Sequence, residues 1–174
     1  MHAVVFAYHD VGLNCLKALL TAGIQVDLVV THQDDPNENV WFGSVAKLCQ
    51  EKKIPYVTPS ATDLIDLAPK LQALAPDYIF SFYYRYMIPA QILACAKIAA
   101  LNMHGSLLPQ YRGRAPVNWA ILHGEIQTGA TLHIMGDKPD AGDIVGQSAV
   151  SIGPDETATD VFSKVSQAAV AVIN

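Results

Sequence analysis

Apolar and polar positions follow two alternating patterns along the first hundred residues. Short continuous apolar runs rich in β-branched residues, such as AVVFAY at 3–8, are typical of strands buried on both faces. Between them lie stretches with apolar residues at helical spacing, such as 11–23, where Gly23 is a stop signal. This alternation predicts βαβ units and a mainly parallel sheet. The predicted strands are 3–8, 24–32, 54–59, 77–84 and 97–105, and the predicted helices are 11–23, 41–53, 61–76 (divided near Pro69) and 88–96.

The pattern changes towards the C-terminus. Residues 128–152 hold two strand-like runs around a loop rich in Gly, Pro and Asp, which predicts a hairpin. A helix is predicted over 155–174, with Thr157 as its cap or in its first turn and Val161 and Val165 on its apolar face. We therefore predict an α/β domain with three layers, αβα, whose mostly parallel sheet carries an antiparallel extension.

Composition restricts the function. The 174 residues, 51% hydrophobic and 16% charged, suit one domain with a sizeable core. A formal net charge of −5 argues against nucleic acid as a partner, because phosphate contacts need clustered Lys and Arg. The 3 cysteines are widely spaced and form no ligand cluster, so we expect no metal and a cytoplasmic location. No apolar run approaches the ~20 residues of a membrane span, so no membrane insertion is expected.

The first strand–helix junction lacks a phosphate-binding fingerprint. It reads AYHDVG at 7–12, with Gly12 alone. A dinucleotide site needs several glycines for the tight turn and for close approach of the pyrophosphate. A dehydrogenase is therefore disfavoured. His9 and Asp10 are interpreted as helix-capping residues, with contact to a substrate as the alternative.

Candidate chemistry lies at the carboxyl ends of the predicted strands, where open parallel sheets bind ligands. Asn102 and His104 end the strand at 97–105, and side chains two apart on a strand point the same way. An imidazole can exchange a proton near pH 7, and an amide can donate to a developing oxyanion. Asp137, Asp140 and Asp143 are candidate acids to orient the imidazole. Such a set suits acyl-type transfer to an amine without a nucleophilic Ser or Cys.

Three longer segments carry a family resemblance. NMHGSLLPQYRGRAPVNWAILHGE at 102–125, TGATLHIM at 128–135 and DAGDIV at 140–145 resemble the 10-formyltetrahydrofolate-dependent formyltransferases. The resemblance covers essentially the whole chain and implies a Rossmann-like formyltransferase fold, with 1–174 as the N-terminal catalytic domain. Relatives normally continue into a smaller β-rich subdomain that helps to form the acceptor side, so we expect the chain to stop before it. Any oligomer is expected to form through such missing domains.

The resemblance also implies roles for individual residues. Asn102 matches the residue that stabilises the oxyanion, His104 the catalytic acid and base, and Asp140 the carboxylate that favours the charged form of that His. No metal takes part. The positions matching the folate site are Tyr86, Met87, Ile88, Arg114, Gly136, Asp137, Lys138, Pro139 and Asp140.

The acceptor is inferred from two further segments. VVFAYHDVG at 4–12 and FSFYYRYMI at 80–88 are most similar to the branch of the family that formylates UDP-4-amino-4-deoxy-L-arabinose in lipid A modification and polymyxin resistance. Folate and a nucleotide sugar are thus the expected small-molecule partners. The alternatives are a methionyl-tRNA formyltransferase and an inactive folate- or nucleotide-binding module. His133, which alternates with apolar neighbours, is interpreted as a structural residue.

Overall fold

The computed structural model describes residues 1–33, 42–136 and 138–174. They form two compact units, Met1–Leu101 and Asn102–Asn174, and the division falls within one strand. The strands are β1 (His2–Ala7), β2 (Gln25–Val30), β3 (Tyr56–Val57), β4 (Tyr78–Phe82), β5 (Ala99–His104), β6 (Gln127–Ile134) and β7 (Ile144–Ser151). The helices are α1 (His9–Thr21), α2 (Val45–Lys52), α3 (Ala68–Leu74), α4 (Ala90–Leu93), α5 (Pro116–Leu122) and α6 (Ala158–Ile173), with a 3-10 helix at Leu64–Leu67.

The first unit is built on parallel strands. Hydrogen bonds join them in the order β3-β2-β1-β4, and the first half of β5 follows. Strand β1 pairs in parallel with both β2 and β4, and residues Ala3–Ala7 are fully buried, as expected for a strand covered on both faces. Helix α1 packs closely against β1 and β4. A Cβ at Gly12 would lie 3.0 Å from the Phe82 carbonyl oxygen, so a side chain at this position would crowd the strand. Gly12 thus serves helix packing here.

The second unit holds the end of β5 and the antiparallel pair β6–β7. The pairing sets Gly129 opposite Ala149 and Thr131 opposite Gln147. Helix α6 packs against both strands, and Thr157 caps it through a capping box with Asp160. The predicted hairpin, the closing helix and the α/β class with its mainly parallel sheet are confirmed.

Several predicted elements differ in extent from the structure. Helix α2 begins only at Val45, and the start of the predicted helix at Trp41 lies outside the described residues. The predicted helix at 61–76 is indeed divided, with Pro69 in the first turn of α3, where its missing N–H costs nothing.

Helix α5 was not predicted from the sequence. It has 7 residues, which is too short for its apolar positions to repeat, and the residue before it, Ala115, has a left-handed φ of 53°.

Among the described residues, no helix is both long and apolar enough to cross a membrane.

Candidate active site

A half-buried carboxylate gathers four polar partners within the second unit. Asp140 Oδ1 lies 3.5 Å from Asn102 Nδ2, 3.5 Å from His104 Nδ1 and 3.4 Å from His133 Nε2. The other oxygen, Oδ2, accepts a 2.9 Å hydrogen bond from the Gly113 backbone N–H. Asn102 and His104 come from the end of β5 and His133 from β6, while Asp140 lies in the connection between β6 and β7. The structure therefore brings together the predicted amide, imidazole and acid.

Asp140 is the acid that meets the imidazole. Asp143 is exposed, and Asp137 lies outside the described residues. Burial raises the pKa of Asp140, but the His133 hydrogen bond, the charge of His104 and the Gly113 N–H together outweigh it and hold that pKa below its usual value. The carboxylate therefore stays ionised at neutral pH.

His104 is held from both sides of its ring. Nε2 lies 2.8 Å from the Tyr111 carbonyl oxygen, which can only accept, so Nε2 carries a proton and donates it. Nδ1 faces Asp140, and the side chain is 8% exposed. Nδ1 is thus the nitrogen left to gain or lose a proton, and a proton on it would point at the carboxylate.

Asn102 lies between His133 and Asp140. His133 Nδ1 donates to the Ile134 carbonyl at 2.9 Å, and Nε2 of the same ring lies 3.2 Å from Asn102 Nδ2 and 3.4 Å from Asp140 Oδ1. Because a carboxylate oxygen can only accept, the amide turns its NH2 towards Asp140. The 3.5 Å contact with Asp140 is long for a hydrogen bond, so this N–H is the one free to turn towards another acceptor.

His133 is the member of the cluster that sequence reasoning missed. It is 2% exposed, and its ring nitrogens contact Ile134, Asn102 and Asp140. The available signal was that Thr131 and His133 are polar residues two apart in a strand of otherwise buried character. Buried polar side chains need partners, and here the partners are candidate catalytic residues.

The loop that follows β5 is tied to the hairpin by side chains. Thr131 Oγ1 donates to the Ser106 carbonyl at 2.6 Å and accepts from the Leu108 N–H at 3.1 Å. Gln147 Nε2 donates to the Leu108 carbonyl at 2.9 Å and to Thr131 Oγ1 at 2.8 Å. These bonds saturate the Thr131 hydroxyl, and they fix the start of the loop that carries Tyr111 and Gly113.

The residues predicted to bind folate occur in both units. In the first unit Tyr86 is 38% and Met87 73% exposed, and Ile88 is half-buried. In the second unit Asp140 belongs to the carboxylate cluster. Arg114, Gly136, Lys138 and Pro139 are exposed there, and Asp137 lies outside the described residues.

The Tyr86 segment is attached to an aromatic cluster in the first unit. The His32 ring stacks on Tyr84 at 4.3 Å and meets Tyr86 edge-on at 4.6 Å. His32 Nε2 accepts from the Arg85 backbone N–H at 3.1 Å. Burial, then the charge of Arg85, lowers the pKa of His32 to about 4, so the ring remains a neutral acceptor at physiological pH. The sequence pattern around His32 does not indicate this role.

Helix α1 begins at His9, without a side-chain cap at Tyr8. Asp10 lies in the first turn, and its Oδ1 accepts from the Gly43 N–H at 2.9 Å. The predicted capping role of His9 and Asp10 is thus replaced by a link from Asp10 to the segment before α2.

A family model described as formyl transferase matches residues 3–174. The chain belongs to the formyl transferase family. It is therefore a formyl-transferring enzyme that uses formyltetrahydrofolate.

Solved structures of similar fold include a transformylase and a deformylase. Glycinamide ribonucleotide transformylase 1 from Symbiobacterium toebii has a TM-score of 0.82 at 22% identity, over 98% of this chain and 82% of that one. A formyltetrahydrofolate deformylase from Pseudomonas syringae pv. tomato has a TM-score of 0.83 at 21% identity, over 99% of this chain and 58% of that one.

An N-formyltransferase from Helicobacter canadensis was solved with folinic acid and dTDP-3-aminofucose. Its TM-score is 0.77 at 22% identity, over 99% of this chain and 60% of that one. At these identities the similarity establishes the fold, and the predicted Rossmann-like formyltransferase fold is confirmed.

Proposed function

We propose that this formyltransferase transfers the formyl group of 10-formyltetrahydrofolate to the amine of a UDP-amino sugar, UDP-4-amino-4-deoxy-L-arabinose, in cytoplasmic lipid A modification that leads to polymyxin resistance. The cluster of Asn102, His104 and Asp140 supports formyl transfer, because it supplies an N–H donor, a proton-exchanging nitrogen and a fixed negative charge. The acceptor is inferred from the segments at 4–12 and 80–88.

The chemistry follows from these three groups. The sugar amine attacks the formyl carbon, forming a new C–N bond and placing negative charge on the formyl oxygen. The weakly held N–H of Asn102 donates to that oxygen. His104 Nδ1 takes a proton from the attacking amine and delivers one to N10 of the folate as the old C–N bond breaks. Asp140 stabilises the imidazolium between these two events.

We assign folate binding mainly to residues whose side chains are exposed to solvent. Tyr86 and Met87 offer exposed apolar surface to the pterin, and the backbone of this segment and of Ile88 offers donors and acceptors. Arg114 carries the charge opposite to that of the glutamate carboxylates of folate. Gly136, Lys138 and Pro139, which are exposed near Asp140 in the chain, are proposed to contact folate as well. Asp137, the remaining proposed folate residue, lies outside the described residues.

The decisive experiment is a formyl-transfer assay with a panel of acceptors. The purified chain is mixed with 10-formyltetrahydrofolate and UDP-4-amino-4-deoxy-L-arabinose, a dTDP-amino sugar, glycinamide ribonucleotide or methionyl-tRNA. Release of tetrahydrofolate is followed by absorbance and the formylated product by mass spectrometry. We expect the UDP-amino sugar to react fastest. A preference for any other acceptor would show that the acceptor assignment is wrong.

Two histidine variants test the role of the cluster. His104→Ala should reduce kcat by about 10²–10⁴, the range typical of a general acid–base group. His2→Ala is the matched control, because His2 is an exposed imidazole paired with Asp27 at 3.0 Å. It should leave kcat unchanged.

Calorimetry with folate and UDP-sugar tests the alternative of an inactive binding module, since such a protein would bind its ligands without turnover.

A further inference from the structure

The carbonyl that holds His104 belongs to a residue in an adverse backbone conformation. Tyr111 has a φ of 54°, in the left-handed region that residues other than Gly rarely occupy. Such a conformation persists only where the surroundings hold it. Because the Tyr111 carbonyl accepts from His104 Nε2, whatever holds Tyr111 also controls that imidazole.

The Tyr111 side chain is held by a pair of hydrogen bonds. Its hydroxyl lies 2.6 Å from Glu125 Oε1 and 3.2 Å from His123 Nδ1. A phenol has a single proton, so it donates to the carboxylate and accepts from the imidazole N–H. The hydrogen bond to Glu125, followed by burial and the negative charge of Glu125, raises the pKa of Tyr111, so the phenol keeps its proton.

Glu125 itself is attached to the end of α5. Its backbone N–H donates to the Ala120 carbonyl at 3.0 Å, and the Gly124 N–H donates to the Ile121 carbonyl at 2.9 Å. The turn after the helix is therefore fixed by main-chain bonds. The Tyr111 ring thus connects a fixed turn to the carbonyl that meets His104.

The rest of the loop is anchored on either side of Tyr111. Thr131 and Gln147 hold Ser106 and Leu108, and Asp140 holds the Gly113 N–H. Tyr111 lies between these attachments. The bonds from the phenol to Glu125 and His123 restrain Tyr111 through its own side chain, and Ser106 Oγ donates to the neighbouring Gln110 carbonyl at 2.6 Å.

We propose that Tyr111 and Glu125 are positioning residues that select the Nε2–H tautomer of His104. Their hydrogen bond aims the Tyr111 carbonyl at Nε2, and the reactive lone pair or proton then resides on Nδ1, beside Asp140. The tautomer assignment stands on geometry alone. Its consequence for turnover rests on the proposed function.

Nuclear magnetic resonance tests the tautomer without requiring activity. The protein is labelled with ¹⁵N-histidine, and long-range ¹H–¹⁵N spectra are recorded at the alkaline end of a pH series, with His104 assigned by comparison with His104→Gln. We expect wild-type His104 to be protonated at Nε2. Tyr111→Phe and Glu125→Ala should give a mixture of tautomers. Glu125→Gln, which retains an acceptor for the phenol, should resemble the wild type.

A tyrosine elsewhere serves as the matched control. Tyr56 in β3 accepts a 2.8 Å hydrogen bond from Gln50 Nε2 through its hydroxyl. Tyr56→Phe removes one phenol oxygen, as Tyr111→Phe does, and should leave the His104 signals unchanged. Near-ultraviolet circular dichroism verifies that each variant is folded. A wild-type proton on Nδ1, or a Tyr111→Phe spectrum identical to that of the wild type, overturns the proposal.

Kinetics test the consequence. Tyr111→Phe and Glu125→Ala should each lower kcat about tenfold with little change in KM, because the orientation of a proton-transferring group matters in the transition state. The double variant should lose no more than either single one, since both break the same bond. Additive losses would contradict a shared role. If the wild type formylates no acceptor, the proposed function fails, whereas the spectra still decide the tautomer.

Discussion

At the scale of single residues, Asp140 contacts both other candidate catalytic residues, Asn102 and His104. Its carboxylate is 12% exposed and faces two imidazoles, an amide and a backbone N–H. Such a charge is costly to bury unless it is paired and hydrogen-bonded. Its partners come from three separate parts of the chain, so Asp140 contributes to the stability of the second unit as well as to the proposed chemistry.

The first prediction concerns Asp140→Asn and pH. The pKa of Asp140 is lowered in the folded protein. Its contribution to stability is therefore fully present above the unfolded pKa, about 3.9, and is lost as pH falls through the lower folded value. The variant should be less stable than the wild type by about 1–3 kcal/mol at neutral pH. Urea unfolding at a series of pH values should show this gap closing in acid.

Asp143→Asn is the matched control for this experiment. Asp143 lies three residues further along the same loop and is exposed. Its replacement should change the free energy of unfolding by no more than about 0.5 kcal/mol at any pH. A gap for Asp140→Asn that stays constant down to strongly acidic pH would mean that its charge does not stabilise the fold.

At the scale of elements, the β6–β7 hairpin carries two parts of the cluster. His133 lies on β6, and Asp140 lies in the connection to β7. The register of the hairpin therefore decides where the carboxylate lies. That register depends on a close approach at Gly129, where an added Cβ would clash with the Ser148 carbonyl oxygen.

Gly129→Ala should accordingly destabilise the hairpin. A Cβ so close to backbone forces the two strands apart, at a cost typical of overpacking, about 1–3 kcal/mol. Thermal unfolding would measure the loss of stability, and hydrogen exchange of the β6 and β7 amides would locate it.

Gly136→Ala is the comparison for Gly129. A Cβ at Gly136 has nothing within 4 Å, and stability should stay within about 0.5 kcal/mol of the wild type. Equal stability of the two variants would indicate that the strands tolerate a wider spacing at Gly129.

At the scale of the whole molecule, the net charge of the protein bears on whether its acceptor is a tRNA or a nucleotide sugar. The formal net charge of −5 disfavours broad contact with a polyanion such as tRNA. A nucleotide sugar, by contrast, needs only a few local donors. The acidic composition thus favours the small acceptor over the macromolecular alternative.

We therefore expect no specific binding of methionyl-tRNA. Electrophoretic mobility shifts at about 50 mM and about 200 mM salt should show weak retention that disappears at the higher concentration, as is typical of non-specific phosphate contact. A complex that persists at the higher salt would favour the methionyl-tRNA alternative. Bulk tRNA without the methionyl group provides the control.

The sequence alone determined the features that depend on local order. Apolar periodicity is enough to predict buried parallel strands, and the two-residue repeat of a strand is enough to place Asn102 and His104 on one side of β5. The sequence also predicts Thr157 as the cap of the closing helix or as part of its first turn, and the structure shows it as the cap. Helix α5 could not be predicted from the sequence, because its seven residues are too few to show a helical repeat of apolar positions.

Tertiary structure decided which distant groups meet. Asp140, rather than the exposed Asp143, contacts His104, and His133 joins the cluster instead of packing as an inert core residue. The Tyr111 carbonyl, presented by a left-handed residue, assigns the proton on Nε2. These contacts join residues up to 38 positions apart, so they depend on hairpin register and loop path. Both are set by packing and hydrogen bonds across the folded chain, which no local pattern encodes.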